Sequence, residues 1–253
     1  MECKNCGHTF EGKFCNACGQ NTSVDRLTLK SFIVELSESI FQVDRGFFFT
    51  IKGLLTRPGH SIRAYLSGQR KYYFKPIAFV LLLATFYFII TKIIGSNTLL
   101  ADGIVGFRRG IESTTNPSQN TVVFELLTTW LIDNFAYTTL LLMPLISIAT
   151  FIAFLGKGQN YLEHIVINSY LMGLQTIFYV LFTIVDYVIN QNDFTVLLAF
   201  ILSVSYRFWT FFQFYHTDKK RYTALRLVLV YALLYFLIAI GLGFLFLIVK
   251  IFI

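Results

Sequence analysis

The sequence predicts an all-α integral membrane protein: a five-helix transmembrane bundle with a small four-cysteine tip at its N-terminus and interfacial amphipathic helices between the two. Three observations predict it. The 253 residues are 55% apolar and 17% aromatic but only 14% charged, more apolar than a soluble core can use. Five runs of about 20 mainly apolar residues are each long enough to cross a hydrocarbon layer of about 30 Å. Four cysteines fall within the first 18 residues and none follows.

The tip comes first in the chain, as CKNCGHTFEGKFCNACGQ. Cys3 and Cys6, then Cys15 and Cys18, form two C-x-x-C-G turns with eight residues between them. Each turn presents two thiolates to one ion, and the following glycine accepts the conformation that lets backbone N–H groups approach sulfur. Four sulfurs close a tetrahedral shell and leave no open position for a substrate, so the expected cofactor is a structural Zn2+ ion in a zinc ribbon. Paired disulfides need an oxidising compartment, which the charge pattern contradicts, and a C-x-x-C redox centre needs a strand and helix that these residues do not supply. So short a segment buries too little to fold alone, and the ion must supply the folding energy. His8 is expected to face solvent.

After a polar joint at Thr22 to Asp25, the residues Leu29, Phe32, Ile33, Leu36 and Ile40 recur at helical spacing. Gly46 is expected to end that helix. Phe47 to Leu55 reads as a second, very aromatic segment, and Arg57-Pro58-Gly59 punctuates before a third marked by Ile62, Tyr65 and Leu66. The triple Phe47-Phe48-Phe49 and the run Arg70 to Lys75 suggest helices in the headgroup layer. There aromatic rings are favoured, and Arg70, Lys71 and Lys75 are candidate contacts to anionic lipid.

The expected spans are Ile77 to Gly95, Ala136 to Leu155, Ile165 to Ile189, Phe194 to Tyr215 and Leu227 to Ile251. Pro76 suits the first turn of the first span. Pro144 is a kink candidate in the second, and Gly241 and Gly243 are candidates for close helix packing in the last. The loop 96–135 begins polar and irregular, with a turn at Thr114 to Pro117. It ends in an apolar stripe of Val123, Leu126, Leu127, Trp130 and Leu131. The expected division is therefore 1–22 as ribbon, 23–75 as juxtamembrane helices and 76–253 as the five-span domain.

Sidedness follows from charge. Most Lys and Arg residues precede the first span or fall in the connections around Lys157 and Lys219 to Arg226, while the other side receives Arg108, Arg109 and Lys250. This places the N-terminus in the cytoplasm and the C-terminus outside, provided that Ala136 to Leu155 crosses. The net charge of +7 is thus one of topology, and no nucleic-acid partner is expected. More than 70 residues precede the first apolar run, so no cleavable signal is expected.

Arg207 lies about eight residues, or roughly 12 Å, inside the inner boundary of the fourth span. It is a candidate for contact with an anionic headgroup or substrate, or else a residue that bridges helices; Gln175 matches its depth better than Asp186 does. Glu163 and His164 read either as a proton-responsive or metal-binding pair or as a wet helix end. With Gln175 they form a candidate polar cluster. No phosphate-cradling glycine loop, H-E-x-x-H or G-x-S-x-G motif is present, and no enzyme is expected.

The cysteine tip, the stretch VDRGFFFTIKGLLTRPGHSIRAYLSGQRKYYFKPIAF and the motif NYLEHIVINSYLMG together resemble the bacterial membrane family catalogued as domain of unknown function 3667. The resemblance implies a zinc ribbon followed by multispan helices in a bacterial inner membrane, and no activity. A looser, topological likeness is to Yip-type five-span proteins, which act as membrane adaptors. The expected function is accordingly a non-enzymatic adaptor or membrane-surface sensor that meets a protein partner through its cytoplasmic ribbon. The alternative is a small-solute or lipid transporter using polar residues in the bundle.

Overall fold

The computed structural model describes residues 1–21, 26–28, 46–112, 120–189 and 193–252. The expected helix from Leu29 to Ile40 and the turn at Thr114 to Pro117 lie outside them. Among the described residues regular structure is entirely helical, with two isolated antiparallel bridges in the tip, Glu2 to Thr9 and Phe14 to Asn21. Five helices are long and apolar enough to cross a membrane.

Two short helices precede the first span, α1 (Gly46–Thr56) and α2 (Pro58–Leu66). Gly46 opens α1 where the sequence suggested the end of a helix. A Cβ there would lie 2.8 Å from the Tyr72 carbonyl oxygen, so the residue is small because the chain passes close by. Both helices turn one face inward: Thr50 and Leu54 on α1, Ile62 and Tyr65 on α2 are buried. Phe48, Phe49, Leu55 and the nearby Tyr72 stay exposed. The segment therefore packs on the bundle, with an outer side that carries these aromatic residues together with Lys52, Arg57 and His60. Leu27, Leu54, Ile62, Tyr65 and Phe74 share one core with Phe79, Leu171, Leu174 and Phe211.

The first span, α3 (Pro76–Ile94), starts on a proline that needs no hydrogen bond in the first turn. It stops at Gly95, whose φ of 76° is left-handed and whose N–H reaches the Thr91 carbonyl. Beyond it the expected irregular stretch contains a helix, α4 (Leu99–Glu112), with Asp102 in its first turn and Arg109 in its last. Apolar residues at positions 99, 100, 104, 107 and 111 follow a helical period, and the end charges suit the helix dipole; that pattern outweighs the glycines. Helix α5 (Asn120–Asp133) carries the expected stripe, and a 3.6 Å ion pair from Lys92 to Asp133 ties its end to the end of α3.

Helices α6 (Phe135–Ala153, with Pro144 inside), α7 (Tyr161–Ile189), α8 (Asp193–Phe214) and α9 (Lys220–Phe252) complete the set. Helices α3, α6 and α8 gather round α7, α3 most extensively, while α9 packs chiefly on α6. Within lipid there is no hydrophobic drive between helices, so close packing must hold them. Gly173 on α7 permits it, since a Cβ there would stand 2.5 Å from the Phe79 ring. Helix α9 is peripheral: 11% of its apolar stretch is buried, against 33 to 39% in the other four. A Cβ on Gly241 would meet nothing within 4 Å among the described residues, so none of them packs closely against it.

Candidate functional site

The tip is a twelve-residue repeat folded back on itself. Glu2, Cys3, Cys6, Gly7 and Thr9 recur as Phe14, Cys15, Cys18, Gly19 and Asn21, and each half closes the same way. The Gly7 N–H bonds the Cys3 carbonyl at 2.8 Å and the Gly19 N–H the Cys15 carbonyl at 2.7 Å, each glycine having a φ of 71°. The glycines thus make the turn, and it is the His8 backbone that serves the Cys6 sulfur.

All four cysteines are free, and their sulfurs lie within 4.8 Å of one another. The distances from Cys3 to Cys18 and from Cys6 to Cys15 are both 3.6 Å, far beyond a disulfide bond of about 2.05 Å. Sulfurs at about 2.3 Å from a central ion would stand about 3.8 Å apart in a tetrahedron, so the set fits a metal ion. Electrostatics agree. Burial opposes ionisation of Cys3, but the backbones of Cys6 and Asn5 and the thiols of Cys18 and Cys6 outweigh it and hold the group at about 7. Cys6 gains from its His8 backbone bond, yet burial and the sulfurs of Cys18, Cys15 and Cys3 push it up to about 12. Four thiolates cannot share this space without a cation. Among the described residues this is the one group of three or more His, Cys, Asp or Glu side chains within metal-holding reach. His8 is exposed and outside it.

The tip is fastened to the bundle by a residue that sequence reasoning passed over. Gln20 is buried, and its backbone carbonyl accepts from the Cys15 N–H at 2.8 Å. Its side-chain amide donates to the Gly68 carbonyl at 2.9 Å and accepts from the N–H groups of Arg70 (3.1 Å) and Lys71 (3.2 Å). A glutamine two residues after the last cysteine carries no motif, so only the fold discloses the clasp. Lys71 is exposed and passes beside Gly19, Lys75 is half-buried ahead of Pro76, and Arg70 is turned over the Tyr65 ring at 5.4 Å.

A second fastening explains part of the NYLEH motif. Asn160 Oδ1 accepts the Glu163 N–H at 2.9 Å and the Glu163 carboxylate accepts the Asn160 N–H at 2.8 Å, a capping box at the start of α7. The same carboxylate takes two 3.0 Å bonds from Arg26, and Asn160 Nδ2 donates to the Leu27 carbonyl at 3.1 Å. Glu163 holds the Arg26 guanidinium charged by hydrogen bond and by charge, raising its pKa. A third fastening joins α2 to the end of α8. The Gly59 N–H reaches Gln213 Oε1 at 3.2 Å, and Arg63 donates to the carbonyls of Gln213 and of Phe214, the latter at 2.7 Å. A Cβ on Gly59 would stand 2.4 Å from the Phe214 nitrogen. These contacts put the tip, the starts of α3 and α7 and the end of α8 at one end of the bundle, together with most of the basic residues.

The candidate cluster of Glu163, His164 and Gln175 is divided. Glu163 faces Arg26, while His164 is fully buried with its ring edge-on to Phe151 at 5.8 Å and neither nitrogen hydrogen-bonded among the described residues. Gln175 meets Arg207, whose Nη2 donates to Oε1 at 3.1 Å, and Arg207 Nη1 donates to Asn168 Oδ1 at 3.3 Å. Gln175 passes the network to the Ser203 carbonyl at 2.8 Å; Asn168 passes it to Thr150 at 2.9 Å. Arg207 is buried among helices and does not line the outer surface. An arginine at such depth costs about 2.5–3.5 kcal/mol on insertion scales, and the amide oxygens offset part of it. His164, Asn168 and Gln175 lie within about 40° of one another on α7, a polar stripe at offsets of four and seven that the sequence does display.

No curated protein and no solved structure matches the chain. Residues 44–88, from just before α1 to well inside α3, match the family described as Protein of unknown function (DUF3667), and the four-cysteine tip and apolar helices fit the layout that the resemblance implied.

Proposed function

We propose that the protein is a non-enzymatic membrane-surface sensor or adaptor, whose zinc-held tip faces the cytoplasm of a bacterial cell and meets a protein partner. The observation that carries this reading is the Gln20 clasp. Its backbone is set by the second cysteine turn, and its side chain holds the loop from Gly68 to Lys71 that runs directly into the first span. A change at the tip is thereby passed to the base of the bundle. A closed shell of four thiolates supports a structural ion over a catalytic one. The exposed Phe48, Phe49 and Tyr72, flanked by Lys71 and Lys75, support seating of this end in an anionic headgroup layer.

Crosslinked affinity purification from native membranes tests the reading, using the intact chain, a chain starting at Thr22 and a Gln20→Ala variant. The intact chain captures a partner that the shortened chain loses, and Gln20→Ala keeps the partner but weakens its effect on the bundle. Identical capture by all three removes the tip from recognition. The transporter reading draws on the buried Arg207 network, and reconstituted solute flux abolished by Arg207→Ala would favour it over the sensor.

A further inference from the structure

A guanidinium offers five N–H donors and a permanent positive charge. Arg207 is 7% exposed, and the acceptors it meets among the described residues are two neutral amide oxygens, those of Asn168 and Gln175. The carboxylates near α7 are committed elsewhere. Glu163 is held by Arg26, and Asp186, at the far end of α7, accepts from Thr195 at 2.5 Å. One turn from Asn168 on the same face of α7 stands His164, a wholly buried imidazole whose two nitrogens bond nothing among the described residues. Buried charge in a membrane bundle is normally met by an opposite charge, and buried ring nitrogens normally find partners. Both departures meet one polar stripe of α7: His164 belongs to it, and Arg207 reaches it from α8 through Asn168 and Gln175.

We propose that Arg207, with Asn168, Gln175 and His164, forms a binding site for a phosphate oxyanion, taken from a lipid headgroup or from solution. The amide oxygens of Asn168 and Gln175 fix the guanidinium plane, leaving its remaining donors and its charge for the oxyanion. His164 adds a further donor on the side of the basic end of the bundle. This reading goes beyond the sensor proposal and does not depend on it.

The test uses the full chain, metal-loaded, delipidated and held in neutral detergent, titrated separately with inorganic phosphate and with phosphatidylglycerol in mixed micelles. Bound probe is read by native mass spectrometry, and the unfolding temperature is followed in parallel. Wild-type protein binds at least one probe and unfolds at higher temperature with it. Inorganic phosphate alone sufficing marks a dissolved anion, and a response confined to phosphatidylglycerol marks a headgroup. Arg207→Gln weakens binding by at least about tenfold. Should that variant fail to fold, Asn168→Asp carries the test, because it keeps the acceptor that Arg207 meets and hands Arg207 an internal carboxylate, giving up the Nδ2 bonds to Thr150 and the His164 carbonyl. That variant folds and loses the response, although every surface lysine and arginine is unchanged. Wild-type protein that binds neither probe, or Asn168→Asp protein that responds like wild type, overturns the proposal.

Discussion

The four-cysteine tip buries Cys3, Phe10 and Cys15 around its sulfurs, whereas the bundle buries a continuous core from Leu27 to Val230 with aromatic rings packed edge to face. At one end the chain is held by a chemical clamp, at the other by side-chain fit. The two are sensitive to different insults, and Gln20 joins them. What the contrast teaches is that a module too small to pack a core of its own can be joined to a membrane domain by a polar side chain that its backbone positions; on the proposed reading, that side chain carries the state of the metal site to the bundle.

The largest expected effect comes from removing the clamp. Chelation, or Cys15→Ser, forfeits metal-derived folding energy on the order of 10 kcal/mol or more, so residues 1–21 become open to proteolysis and bound metal is lost. Far-UV helicity of the bundle is retained in the same sample, and its loss would erase the contrast. Next is fit at the bundle. Gly59→Ala drives a methyl group against the Phe214 backbone and is expected to cost about 3 kcal/mol in detergent unfolding. Gly173→Ala presses on the Phe79 ring, which can tilt, and should cost about 1–2 kcal/mol. Equal losses would show that the α2 to α8 contact is less rigid than its geometry.

Smaller effects belong to the second fastening. Glu163→Ala removes one half of a capping box and should cost about 1–2 kcal/mol, read as faster hydrogen exchange at residues 157–163. Arg26→Ala should cost under about 1 kcal/mol, since its side chain is 59% exposed and the ion pair is screened. The smallest effect is one of pH. Burial first, then Arg63, His216 and Arg57, lower the pKa of His60 below its ordinary value near 6.5. The unfolded chain therefore takes up this proton before the folded one does. The stability contribution is intact above about pH 6.5 and declines as pH falls below it. The Arg63 bond to His60 Nδ1, at 2.7 Å, needs a neutral ring and goes with it. NMR titration of His60 should show the depressed pKa, rising toward the ordinary value in His216→Gln.

The bundle was legible because lipid imposes length and apolarity: Pro76 and Gly95 bound the first span almost where the residues alone put it. The cysteine spacing was legible because tetrahedral ligation fixes it. Helix α4 was hidden by glycines and polar neighbours that suggested a loop, and Gly46 was misread because its smallness serves a passing backbone and not a helix end. The clasp was not legible at all, since Gln20 and its backbone partners are 48 to 51 residues apart and backbone donors and acceptors leave no trace in residue type. Depth in the spans pairs Arg207 with Gln175, while Asn168, an uncharged residue, gives no such sign.

Hydrogen exchange at the Arg70 and Lys71 amides, measured on the intact chain in lipid nanodiscs with bound zinc and again after chelation, tests the link between tip and bundle most directly. Both amides are expected to be protected with metal, to exchange much faster without it, and to be fast in either state in Gln20→Ala. Equal exchange with and without metal in the wild-type chain would contradict the account.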